Sequence, residues 1–163
     1  MSQVTVRPSE SSDLVAVAGI YAHAVRTSTA TLDFKPPPMR YWQNKLKDAN
    51  HFLVANTDDG KVIGYAYSEA FRRRDAYSTT RETSIYVSPD SAGQGVGAQL
   101  YGDLLNLLRE DGIHLAVAAV AQPNPASNAL HRSVGFTEVG TLDEVAFKFG
   151  AYISTTWFQR RLA

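Results

Sequence analysis

The sequence predicts a mixed α/β domain, and three observations carry that reading. Segments with strand-like and helix-like periodicity follow one another as β, α, α, β, β, β, α, β, α, β, β. Ile113 to Ala121 is almost wholly apolar, as a strand buried on both faces requires. The strand Thr80 to Ser88 runs through a short turn into a glycine-rich loop that opens a long helix.

The elements follow in order. Val4 to Arg7 alternates like a short strand. Ser11, Ser12 and Asp13 are N-cap candidates for a helix whose Leu14, Val17, Ala18, Tyr21 and Val25 share one face. Thr27 to Phe34 is polar and β-branched and is expected to be an ordered loop. Pro36, Pro37 and Pro38 block regular structure, and Met39 to Ala49 forms a second helix. His51 to Thr57 and Lys61 to Phe71 flank the hairpin signal Asp58-Asp59-Gly60. The helix Gly95 to Asp111 carries the apolar stripe Leu100, Leu104, Leu105, Leu107 and Leu108, and Gly112 stops it. Asn124-Pro125 gives an N-cap followed by proline at the first helical position, with a stop at Gly135. Phe136 to Phe149 and Tyr152 to Arg160 form a closing antiparallel pair.

Composition bounds the function. Residues 1–163 fit one domain, and 44% hydrophobic residues suffice for a core. Sixteen Lys and Arg balance sixteen Asp and Glu, so no global charge draws the chain to nucleic acid or an anionic membrane. The absence of cysteine excludes disulfides, thiolate metal sites and cysteine nucleophiles. No apolar run approaches the roughly 20 residues of a membrane span. Met1 to Arg7 lacks an apolar signal core, so a cytoplasmic protein is expected. His23, His51 and His114 have no metal-ligand spacing, and no metal is expected.

Gly93, Gly95 and Gly97 stand at every second position at the start of a helix. Such a backbone can converge its N–H groups on an anion, helped by the helix dipole, so a phosphate-bearing ligand is indicated. Gly93, Gly95 and Ala98 also satisfy a loose dinucleotide pattern. The strand that follows ends Val120-Ala121-Gln122-Pro123-Asn124, without the carboxylate that would hold a ribose. A P-loop is excluded, because no Lys-Ser or Lys-Thr follows the glycines. A tight turn without a ligand is the plainer alternative.

Strand, glycine loop, helix, buried strand and then Asn124 to Phe136 together resemble the GNAT family of acetyl-CoA-dependent N-acetyltransferases. Within it the chain is similar to the phosphinothricin and methionine sulfoximine acetyltransferase branch. The similarity runs nearly end to end, through Tyr21-Ala22-His23, Thr27 to Thr31, Gly64 to Tyr67, Arg74 to Tyr77, Glu82 to Ser88, Leu130-His131, Gly135-Phe136 and Lys148-Phe149-Gly150. The resemblance implies the GNAT fold, a mixed central sheet of about seven strands flanked by about four helices. It also implies direct attack of a small amino-acid-like amine on acetyl-CoA, and a homodimer.

It further implies roles for particular residues. The amides of Gly93, Gln94, Gly95, Val96, Gly97 and Ala98 would hold the pyrophosphate, although Ala92 stands where the family pattern has Arg or Gln. The backbone of Ile85, Tyr86 and Val87 would hold the thioester arm, with the Val87 N–H facing the carbonyl oxygen. Asn124 and Ser127 would meet the pantetheine. Glu82 takes the place of the general base; read by itself, it is a solvated strand glutamate. His131 occupies a slot where the wider family often has a tyrosine that protonates the leaving thiolate. An imidazolium can do this, and a histidine bonded to a carbonyl is the equal alternative. Phe34, Arg72, Arg74, Tyr77 and Glu82 would surround the acceptor, the arginines meeting its carboxylate. Lys148 and Tyr152 lie on the closing strands, and Ser154 stands where related chains often have Asp. The competing readings are an acetyltransferase for protein N-termini or polyamines, and a non-catalytic acetyl-CoA sensor.

Overall fold

A computed structural model describes residues 3–163. The strands are β1 (Thr5–Pro8), β2 (Phe52–Asn56), β3 (Val62–Ala70), β4 (Thr80–Val87), β5 (Leu115–Ala121), β6 (Thr137–Lys148) and β7 (Ala151–Arg161). The helices are α1 (Leu14–Thr27), α2 (Met39–Asp48), α3 (Val96–Glu110) and α4 (Pro125–Ser133). All seven strands join one sheet in the order β1-β2-β3-β4-β5-β7-β6. Every neighbouring pair is antiparallel except β4 and β5, which are parallel. The expected fold class and element order are observed.

Two cores lie on the two faces of the sheet. On one, Leu100, Tyr101, Leu104, Leu105 and Leu108 of α3 pack against β2, β3 and β5 and against Phe136 and Phe158. On the other, Leu14, Val17, Tyr21 and Val25 of α1 and Trp42 of α2 cover Phe52, Val54, Tyr65 and Tyr67. The side chains of Phe52, Tyr65, Tyr67 and Tyr86 stack across β2, β3 and β4, and Trp42 meets Tyr65 and Tyr21 edge-on. Such stacking uses cross-strand neighbours on one face, and each pair adds about 0.5–1.5 kcal/mol to area burial.

The structure corrects the start of α1. Ser11, Ser12 and Asp13 form a 3-10 turn, and none caps the helix through its own side chain. The Asp13 carboxylate accepts the Glu10 N–H at 2.8 Å and a two-pronged bond from Arg7 at 2.8 and 2.9 Å. That bond holds the Asp13 carboxyl below its ordinary range and ties β1 to the helix. The other punctuation follows the sequence. Asn124 accepts the Ser127 N–H at 3.1 Å as a true N-cap, and Gly60, Gly112 and Gly135 all have positive φ.

Gly135 is the most constrained of these stops. Its φ is +89°, and a Cβ there would lie 3.1 Å from Nε of Arg160, whose guanidinium holds the Val134 carbonyl at 2.8 Å. Gly135→Ala is therefore expected to lower stability by about 1–2 kcal/mol in urea unfolding, from left-handed strain before any clash is counted.

Candidate active site

The parallel pairing of β4 with β5 covers only Thr80↔Leu115, Arg81↔Ala116 and Glu82↔Val117. Beyond it the two strands diverge. The Ser88 N–H donates to the Ile63 carbonyl at 2.8 Å, which sets the parity of the β3–β4 ladder. Even-numbered residues of β4 bond to β3, and the backbone groups of Ile85 and Val87 point towards β5. On β5 the parity set by Gln122 N–H to the Ser154 carbonyl, 2.9 Å, turns Ala119 and Ala121 towards β4. Two unpaired strand edges thus face each other across a cleft of about 700 Å³.

The glycine loop closes one end of this cleft. Gly93 and Gly95 have φ of +76° and +78°, values a side chain disfavours. The first bond of α3 is Gln99 N–H to the Gly95 carbonyl, 3.1 Å, so the N–H groups of Val96, Gly97 and Ala98 have no partner within the helix. Gly97 serves a different purpose from its two neighbours: a Cβ there would sit 2.9 Å from Leu130 of α4, so this glycine lets the two helices close. Gly93, Gly95, Val96, Gly97 and Ala98 line the cleft, as does Ala92. Gln94 does not, and its side-chain amide turns back to the Asp90 carbonyl at 3.4 Å.

Strand alternation sends neighbouring side chains of β4 to opposite faces. Glu82 falls on the α1–α2 face, across the strand pair from Glu69. Glu69 is paired with Lys45 of α2 at 2.5 Å, and that ammonium lies over the rings of Tyr41 and Tyr67. Burial, then the charge of Glu69, raises the Glu82 carboxyl above its ordinary range, while Arg72 and Lys45 pull it down. Tyr86 follows on the same face; burial pushes its phenol up to about 12, and its hydroxyl donates to the Ala30 carbonyl at 3.3 Å.

Thr83 falls on the α3 face and begins a buried chain of polar groups. Its hydroxyl lies 3.1 Å from the Tyr101 hydroxyl, which lies 2.8 Å from Nε2 of His131. Nδ1 of His131 is 2.7 Å from the Ser127 carbonyl, which can only accept. The proton therefore sits on Nδ1, and Nε2 accepts from Tyr101. Phe136 and Phe158 press on the imidazole, and burial lowers its pKa against the opposing Ser127 bond. Of the two roles open to His131 in the sequence, the structure shows the bond to a carbonyl, and burial opposes the imidazolium.

Residues 17–136 match the model of the Acetyltransferase (GNAT) family. The chain is 39% identical to a phosphinothricin N-acetyltransferase of Streptomyces coelicolor, over 99% of this chain and 98% of that one. It is 33% identical to an L-methionine sulfoximine/L-methionine sulfone acetyltransferase of Pseudomonas aeruginosa, over 97% and 94%. A crystal structure of a GNAT superfamily phosphinothricin acetyltransferase from Sinorhizobium meliloti in complex with AcCoA superposes with a TM-score of 0.94 at 33% identity, covering 100% of this chain and 90% of that one. The chain belongs to the acetyltransferase (GNAT) family.

The GNAT co-substrate is acetyl-CoA, and the residues present fit it. The free N–H groups at the start of α3 suit a pyrophosphate, and the open edge of Ile85 and Val87 suits the amides of a pantetheine arm. Asn124 and Ser127 also line the cleft, at the start of α4. Of the acceptor residues expected from sequence, Glu82 alone lines it. Arg72 is exposed, its guanidinium 4.2 Å from the centre of the Phe71 ring; Arg74, Tyr77 and Phe34 are exposed too. Sequence reasoning missed Thr83, Tyr101 and the Lys45–Glu69 pair. Tyr101 sits in an apolar helical stripe and signals only core, and Lys45 meets Glu69 only through the packing of α2 on the sheet.

The buried imidazole gives a measurable expectation for this GNAT site. At pH 6.5 a free imidazole is about half protonated. His131 is expected to remain neutral there, in the Nδ1–H form, by ¹⁵N NMR of the ring.

Proposed function

We propose that this GNAT enzyme transfers the acetyl group of acetyl-CoA to the amine of a small amino-acid-like acceptor, of the phosphinothricin, methionine sulfoximine or methionine sulfone type. The observation that carries the reading is the opening of the sheet beside Glu82, with the glycine loop at its far end. Relatives named for those acceptors align with nearly the whole chain. The electrostatic influence of Arg72 on Glu82 supports a cationic rim where an acceptor carboxylate would sit, with Arg74, Tyr77 and Phe34 as further rim residues.

In this reading Glu82 accepts a proton from the acceptor ammonium, directly or through a water. The freed amine attacks the acetyl carbonyl, a C–N bond forms and the C–S bond breaks. The Val87 N–H, on the open side of β4, stabilises the carbonyl oxygen as it gains charge. Neutral His131 holds Ser127 and Tyr101 in place, and the thiolate takes its proton from solvent or from the proton Glu82 removed. The reaction belongs in the cytoplasm, because the phosphates of acetyl-CoA keep it inside the cell that makes it.

A homodimer is part of the same reading. Val139, Leu142, Val145, Phe147, Phe149 and Tyr152 are large and exposed and all lie on the β6–β7 hairpin. Scattered exposed apolar residues need no partner, but a row along one edge hairpin is the usual mark of an interface. Sedimentation equilibrium is expected to give twice the chain mass; a monomer at micromolar concentration would refute it.

Release of CoA from acetyl-CoA against an amine panel tests the activity. Turnover is expected on phosphinothricin, methionine sulfoximine or methionine sulfone. Turnover on peptides or polyamines alone would replace the acceptor assigned here, and binding of acetyl-CoA without turnover would make the protein a sensor. Glu82 must be ionised to act as base. Its raised pKa means that kcat/KM is lost on acidification at a higher pH than an ordinary glutamate, near 4.3, would give. Glu82→Gln is expected to lower kcat by about 10²-fold or more and to abolish that acid limb.

A further inference from the structure

Lys148 is the last residue of β6 and is only 2% exposed. Its ammonium has no carboxylate within ion-pair distance among the described residues. Its partners are two backbone carbonyls of the segment after α1, Ser28 at 2.9 Å and Thr31 at 2.7 Å. Burial lowers its pKa, opposed by the charge of Asp33. Core packing does not account for a lysine here, because a methionine would occupy similar space without the cost of burying a charge.

A second observation points the same way. Phe149 and Gly150 form a two-residue turn in which both φ angles are positive, 51° and 74°. Asn, Asp or Gly ordinarily takes the first of these places, and a bulky side chain there is strained. The Phe149 ring lies 4.8 Å from the Lys148 ammonium, a cation–π distance. The strained turn thus adds a third partner to the ammonium.

The segment held in this way borders the cleft. Ser28 and Ala30 line it. Tyr86 donates to the Ala30 carbonyl, and Tyr21 bonds the Thr31 hydroxyl at 2.6 Å and the Asp33 carboxylate. Tyr86 and Glu82 share the α1–α2 face of β4, opposite the face that α3 covers.

We propose that Lys148 is a positioning residue for the acceptor side of the cleft: its ammonium pins residues 28–31 to the end of the β6–β7 hairpin. The kinetic consequence rests on the acetyl-transfer reading above; the structural consequence rests on geometry alone. Residues 28–31 then set the acceptor pocket only while the hairpin is in place, so acceptor binding depends on β6 while binding of acetyl-CoA does not.

The test compares Lys148→Met, which keeps the stem and loses the donors, with Lys148→Arg, which keeps charge and donors. Amide hydrogen exchange over residues 28–33 is read beside the KM values for acceptor and acetyl-CoA. Lys148→Met is expected to speed exchange in that segment and to raise the acceptor KM about tenfold, the equivalent of one charge-assisted hydrogen bond. The acetyl-CoA KM stays near its wild-type value, and Lys148→Arg restores most of both losses. Where Lys148→Met does not fold, Lys148→Gln, which is shorter and uncharged, takes its place, with the same rise in exchange and in acceptor KM expected and the same unchanged acetyl-CoA KM. Unchanged exchange, or equal rises in both KM values, would overturn the proposal. Should the wild-type enzyme turn over no amine, the functional reading fails, while faster exchange in Lys148→Met still supports the pinning.

Discussion

The structure depends on one interrupted ladder. β4 and β5 stay paired only through Glu82 and Val117, each held on its outer side by an antiparallel neighbour, β3 or β7. Those outer ladders let the two strands part without unravelling. An unmet backbone group in a protein interior costs about 1–3 kcal/mol, so the facing edges of Ile85, Val87, Ala119 and Ala121 are tolerable only because they border an open cleft. The same edges are what an amide-bearing ligand needs. The gap is propped from the α3–α4 side by Tyr101 and His131, which pack with Phe136 and Phe158.

Strand alternation then divides the chemistry between two faces. Glu82 and Thr83 are adjacent in sequence and lie on opposite sides of the sheet. On the α1–α2 side are the carboxylates Glu82 and Glu69, Lys45 and the tyrosines; on the α3–α4 side is a chain of neutral hydrogen bonds ending at the helix that the Asn124 cap begins. Burial acts on both sides by the same rule, disfavouring charge, so it raises Glu82 and lowers His131. A carboxylate so raised is a stronger proton acceptor near neutral pH, and an imidazole so lowered becomes a fixed acceptor.

Polar groups also fix the walls. Arg7 and Asp13 tie β1 to the start of α1, and Tyr21, Tyr86 and Lys148 hold the segment that leaves its end. The Tyr86 and Lys148 bonds join elements far apart in sequence. A loop without regular secondary structure becomes an ordered wall in this way, since the entropy of fixing its backbone is offset by contacts the loop does not supply itself.

What was legible in the chain follows from range. Period-two and helical spacing, the stops at Gly112 and Gly135, the Asn124-Pro125 cap and the glycine loop are local, and they determine the seven strands and four helices of the described residues and the glycine-lined start of α3. Where a local signal had two physical causes, sequence did not choose. Gly97 looks like its neighbours, yet answers to Leu130; Ser11 to Asp13 look like caps, yet form a 3-10 turn whose Asp13 carboxylate is taken by Arg7. The tertiary structure alone decided where β4 leaves β5, that Tyr101 meets His131, that Glu69 faces Glu82, and that Lys148 reaches the chain after α1. Those are contacts between residues many positions apart, created when helices and strands pack, and no local pattern of side chains encodes the distance between them.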